Sequence, residues 1–155
     1  MDALAVPVDA REVVPHAGRM VLLRNVVSHD AQETVCDVAV TRESLFCEAE
    51  GVPAWVGLEY MAQSVGAHDG MSSREGGGRP GVGFLLGSRR LDLRTARFVP
   101  GQTLRVSVRH LWGEGELFVF AGEVRDAATG AVLVAGQLNL FRPAEIGRFL
   151  EERDL

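Results

Sequence analysis

The stretch "GVPAWVGLEYMAQSVGAH", residues 51–68, constrains this chain more than any other. Trp55, Leu58, Met61, Ala62 and Val65 spread apolar surface over more than one helical face, and a helix of that pattern is buried rather than laid on a surface. Pro53 suits a first helical turn, and Gly70 in "HDG" suits a C-cap. The expected helix is about 16 residues long, roughly 24 Å. Two polar residues interrupt it. Glu59 and Gln63 stand one turn apart, and a buried carboxylate costs several kcal/mol unless it is paired, neutralised or used.

The flanking sequence predicts strands. "RMVLLRNVVSHD" and "ETVCDVAVT" precede the helix, joined by a polar turn at Asp30–Gln32. "GVGFLLGSRRLDL", "QTLRVSVRHLWG", "LFVFAGEVRD" and "AVLVAGQLNLFRP" follow it, the last two joined by a hairpin turn in "DAATGA". Residues 72–81, "SSREGGGRPG", read as a surface loop, and its glycines lack the strand–loop–helix setting of a phosphate loop. "PAEIGRFLEERDL" suggests a short terminal helix. The sum is α+β: five to seven largely antiparallel strands wrapped around one long helix. With 155 residues it is expected to form one domain, 1–155.

Composition excludes several classes. A net charge of −5 and the lack of a base-reading motif argue against nucleic acid as a partner. The first residues carry neither a basic n-region nor an apolar h-region, and no apolar run approaches the roughly 20 residues of a membrane span, so a cytoplasmic protein is expected. Cys36 and Cys47 have neither disulfide-framework nor metal spacing and are expected to be buried thiols.

Three stretches carry a resemblance. "VPAWVGLEYMAQ" resembles the helix signature of the hot-dog-fold 3-hydroxyacyl-acyl-carrier-protein (ACP) dehydratases of bacterial fatty-acid synthesis, in which a P-G start runs to E-A-M-A-Q; Pro53, Glu59, Met61, Ala62 and Gln63 fall in step. "VPHAGRMVLLRNVV" is similar to that family's opening strand, which begins L-P-H, and "RTARFVPGQTLRV" to its A-R-F…P-G-D-Q-L segment. "PHAGRMVLL" and "GFLLGSRR" bring the chain nearer the dehydratase-like proteins encoded with aryl polyene biosynthesis. The resemblance implies a hot-dog fold and dehydration of 3-hydroxyacyl-ACP to the trans-2-enoyl product. It implies no cofactor and no metal, the substrate riding on the carrier's phosphopantetheine. It also implies assembly as a homodimer or as a heterodimer with another hot-dog subunit, since sites in this family form between two protomers. The fatty-acid dehydratases carry a catalytic histidine in a G-H-F-P stretch upstream of the glutamate. The corresponding "ESLFCEAEGV" here has no histidine, and Ala54 replaces the family's glycine. A non-catalytic partner subunit of an active dehydratase and an acyl thioesterase are therefore the alternative readings.

Dehydration needs a base for the α-proton, an acid for the departing hydroxyl and donors for charge on the thioester oxygen. Glu59 is the expected acid, its pKa raised by apolar neighbours. Gln63 orients it. The helix start at Ala54, Trp55 and Val56 supplies partial positive charge for the oxygen. Trp55 and Tyr60 pack the core or line a tunnel. The plainer reading of Glu59 is a structural carboxylate capped by an arginine.

Four histidines compete for the base. His68, nine residues on, lies about 180° round the helix and is expected to point away. His29 is expected to be solvated in a turn, and His110 stays open. His16, in the Pro/Gly-bounded loop "VPHAGRM", is chosen, although such a histidine also fixes loops. Arg89, Arg90, Arg94 and Arg97 form a basic run that suits either a solvated strand edge or the docking of an acidic carrier protein.

Overall fold

A computed structural model of the chain describes residues 5–76 and 83–143. The terminal helix expected after Pro143 lies outside these residues, as does most of the glycine-rich loop. Among the described residues there are nine strands: β1 (Val8–Asp9), β2 (Asn25–His29), β3 (Glu33–Ala39), β4 (Val52–Pro53), β5 (Phe84–Leu93), β6 (Arg97–Phe98), β7 (Thr103–Glu114), β8 (Leu117–Asp126) and β9 (Val132–Phe141). Seven of them form one antiparallel sheet in the order β1-β2-β3-β7-β8-β9-β5, and β4 pairs with β6. Alternation along β7 turns Leu104, Val106 and Val108 inward, and each is fully buried.

The inward face covers one helix, α1 (Gly57–Glu75), which a 3-10 turn at Ala54–Val56 introduces. It packs on β2, β3, β7, β8 and β9. At Gly122 of β8 a Cβ would stand 2.5 Å from the Met61 sulfur, so the helix rests directly on the sheet there. This is the α+β layout that the chain's pattern predicts and the hot-dog architecture that the resemblance implies.

α1 does not stop at Gly70. It runs five residues further, to Glu75, and Gly76 caps it by donating to the Ser72 carbonyl at 3.2 Å. Gly70 serves close approach instead: a Cβ there would lie 2.0 Å from the Val13 carbonyl oxygen. One turn earlier, a Cβ on Gly66 would come within 3.1 Å of the Pro15 ring. The stripe Ala62, Gly66, Gly70 thus lets residues 13–16 lie against the helix, and that contact places the loop carrying His16.

Candidate active site

Glu59 stands in the first turn of α1, and the loop at Pro15–Ala17 brings His16 to it within the same chain. His16 Nε2 lies 3.7 Å from Glu59 Oε1. The joint between them is Gln63, whose side chain is fully buried. Its Oε1 accepts from the Leu22 N–H at 2.9 Å, and its Nε2 donates to the Met20 carbonyl at 2.6 Å and to Glu59 Oε1 at 3.1 Å. The reverse amide orientation would set oxygen against the Met20 carbonyl and the Glu59 carboxylate, so the network fixes it. One side chain therefore holds the carboxylate directly and the histidine's loop through its far end.

Glu59 is not buried as the sequence predicts. Its side chain is 37% exposed and that of His16 33%, because α1 begins at the edge of the sheet and one side of its first turn meets solvent. His16 Nδ1 is buried without a hydrogen-bond partner among the described residues. The pair is open to solvent on one side; His16 lines a cavity of about 390 Å³, and Glu59, which does not line it, stands against His16. His16 lines that cavity together with Gly66, His68, His110, Phe120 and Arg142, among others.

His68 was expected to point away from any shared site, and the structure corrects this. It faces away from Glu59 but lines the same cavity as His16, since the cavity runs along α1 rather than across it. His29 is likewise not solvated. Its side chain is 2% exposed, because a bulge between Val26 and Ser28 resets the alternation of β2 and pairs His29 with Thr34 across the sheet. His29 Nδ1 and His68 Nδ1 each lie 2.7 Å from Thr34 Oγ1, and Glu75 Oε2 lies 3.7 Å from His29 Nε2. Burial, with the His29 and His110 charges adding to it, pushes the His68 pKa down to about 4, so His68 is neutral at pH 7. Sequence reasoning missed this cluster; the one signal available was two histidines within reach of one buried threonine. His110 belongs to β7, edge-on to Phe120 at 5.2 Å, and also lines the cavity.

The remaining predicted residues fall outside the cavity. The amide of Ala54 donates to the Ala96 carbonyl at 3.0 Å beside the β4–β6 pair, so it is spent and cannot serve a substrate oxygen. Trp55 is 57% exposed and tilts against Phe46, while Tyr60 packs on Phe98; neither lines the cavity. Val56 is buried core. Of the arginines, Arg97 pairs with Glu48 at 2.7 Å and Glu50 at 3.4 Å, and Arg90 with Asp92 at 3.1 Å; Arg89 and Arg94 are exposed. Cys36 is buried, which pushes its thiol up to about 12; Cys47 is half-buried.

A family model described as ApeP dehydratase, of the ApeP-like group, matches residues 8–151. The chain belongs to the ApeP-like dehydratase family. Among solved structures it is similar to "The Dehydratase Heterocomplex ApeI:P from Xenorhabdus doucetiae", with a TM-score of 0.83, 28% identity and coverage of 95% of this chain and 97% of that one. Zebra fish thioesterase superfamily member 2 is similar in fold, at 16% identity, TM-score 0.64 and coverage of 86% and 91%. So is a hypothetical thioesterase with coenzyme A from Streptococcus pneumoniae, at 11%, 0.61 and coverage of 76% and 84%. No curated protein matches the chain in sequence. Among the described residues, no helix of this ApeP-like chain is long and apolar enough to cross a membrane.

Proposed function

We propose that this ApeP-like chain removes water from 3-hydroxyacyl groups carried on the phosphopantetheine of an acyl carrier protein, in an aryl polyene or related fatty-acid-like pathway. The observation that carries the reading is the His16–Glu59 approach at 3.7 Å, with Gln63 holding Glu59 and the Met20–Leu22 end of the histidine's loop, and His16 lining the cavity. His16 takes the α-proton of the acyl group, and the C–H electrons pass into an enolate-like thioester. The C3–O bond then breaks, and the hydroxyl leaves as water with a proton from Glu59. Gln63 occupies Glu59 Oε1, which leaves Oε2 to carry that acid proton. The imidazolium formed on His16 returns its proton to the adjacent carboxylate, which resets the pair. No metal or bound cofactor takes part.

The partner-subunit reading has its own support. One similar structure is a dehydratase heterocomplex, and the His16–Glu59 pair stands open on one side. β5 forms a sheet edge on which Leu86 is 61% exposed, a place where a second hot-dog subunit can extend the sheet. Purified chain incubated with 3-hydroxyacyl-ACP, followed by mass of the acyl group, separates the readings. Loss of one water is the expected result. Release of free acid makes it a thioesterase. No turnover until a second hot-dog subunit is added, with His16 and Glu59 then dispensable, makes it a partner.

A further inference from the structure

Among the polar groups that line the cavity besides His16, His68 is held by a buried partner. His68 turns Nδ1 to Thr34 at 2.7 Å and lines the cavity. The buried ring nitrogens without a partner among the described residues are His16 Nδ1 and His29 Nε2, so His68 Nε2, which bonds no described residue, opens to the cavity. We propose that His68 Nε2 presents a fixed lone pair that accepts a hydrogen bond from a hydroxyl on the acyl chain, beyond the reacting carbons, and that Glu75 sets this polarity through His29 and Thr34. The proposal rests on the acyl-carrier reading above and names a substrate feature for the same cavity.

The polarity follows from counting protons. Thr34 has one hydroxyl proton and stands 2.7 Å from two imidazole nitrogens, so it donates to one and accepts from the other. Glu75 Oε2 lies 3.7 Å from His29 Nε2, and a bare lone pair facing a carboxylate is repelled, so the His29 proton sits on Nε2. His29 Nδ1 is then bare and takes the threonine proton. Thr34 Oγ1 therefore accepts from Nδ1–H of His68, and His68 Nε2 is left bare. A ring that stays neutral at pH 7 holds one tautomer, and this relay selects it. Phe120 lies edge-on to the ring at 5.6 Å, so the ring is braced on that side too. A carbonyl or carboxylate placed there would meet lone pair with lone pair, whereas an alcohol supplies the missing proton.

Protonating His29 reverses both bonds, since both its nitrogens then donate, Thr34 turns its proton to His68, and Nε2 becomes a donor. The charged and titratable groups that bear on this relay are Glu75 and Asp69 from α1, Asp30 from the β2–β3 turn and His110 from β7. Asp69 is also held by Arg142.

Imidazole ¹⁵N NMR of the free chain reads the tautomer without any substrate. The expected spectrum at neutral pH shows His68 protonated on Nδ1 and bare on Nε2. That preference should be lost in Thr34→Val, survive in Thr34→Ser and weaken in Glu75→Gln. Binding is then compared for two unreactive amides, 8-hydroxyoctanoyl-pantetheine and octanoyl-pantetheine. The hydroxylated probe should bind about threefold to tenfold tighter to the native chain and to Thr34→Ser, and no tighter to Thr34→Val or His68→Phe. A proton on Nε2 in the native chain, or equal binding of the two probes, overturns the proposal. If neither probe binds while Nε2 is bare, the acyl-carrier reading fails together with the ligand named here.

Discussion

The two ends of α1 carry polar clusters built on opposite terms. At the N-terminal end His16 and Glu59 are a third exposed and approach to 3.7 Å; Gln63 holds Glu59, and the close contact of Gly66 and Gly70 with Pro15 and Val13 seats the His16 loop. At the C-terminal end His29, Thr34 and His68 are buried and joined by two contacts of 2.7 Å. Open groups can exchange protons with a substrate, and a long approach leaves room for reacting atoms to enter. Buried groups joined by short bonds hold one arrangement and resist change of charge. The comparison separates an open end, where the proposed chemistry sits, from a sealed end, which is proposed to read the substrate.

The largest expected effect lies in the joint of the open end. Gln63→Leu removes the side-chain partners of the part-buried Leu22 N–H and Met20 carbonyl. It should cost roughly 2–5 kcal/mol by chemical denaturation and should also abolish turnover in protein that is still folded. Stability near native with activity intact would show that the loop needs no such support. Next comes Gly70→Ala. Helix propensity alone would gain up to about 1 kcal/mol, but the new Cβ meets the Val13 backbone, so a net loss of about 1–3 kcal/mol is expected, with reduced activity as the His16 loop shifts. Gly66→Ala meets only the edge of the Pro15 ring and should cost less.

The buried end predicts a pH dependence. Folding lowers the His68 pKa from 6.5 to about 4, so the unfolded chain binds the extra proton first. Stability from this group is intact above pH 6.5 and falls as pH drops toward 4. The loss reaches roughly 2 kcal/mol by pH 5. Urea midpoints of the native chain and His68→Phe, compared at pH 7 and pH 5, measure it; a parallel decline in both proteins would contradict it. The smallest effect belongs to neither end. Arg89→Glu with Arg90→Glu should weaken use of an acyl carrier protein about tenfold at low salt and spare a small pantetheine thioester, because such charges steer encounter. Equal loss with both substrates would mean that these arginines support the fold.

What was legible in the sequence follows the same division. The helix was readable because it is apolar all round, and Glu59 with Gln63 because a spacing of four residues puts them on one face. His16 stood out because proline and glycine bound its loop. The buried cluster was hidden because a bulge between Val26 and Ser28 turns His29 inward, and alternation in a sequence does not announce a bulge. Gly70 misled for a related reason: a cap and a close approach both call for a residue without a Cβ, and only the Val13 carbonyl beside it tells them apart. Ala54 looked available until its amide met Ala96, a contact made across 42 residues of chain.

The central claim is that His16 and Glu59 act as one unit, and a double-mutant cycle on turnover of 3-hydroxyacyl-ACP tests it most directly. Glu59→Gln keeps an acceptor for Gln63 but supplies no acid proton, and His16→Ala removes the base. Each single variant should stay folded and lose about 10²- to 10⁴-fold in rate. The double variant should lose little beyond the worse single, since two groups serving one elimination are not additive. Losses that multiply, or a single variant with near-native turnover, would contradict the account.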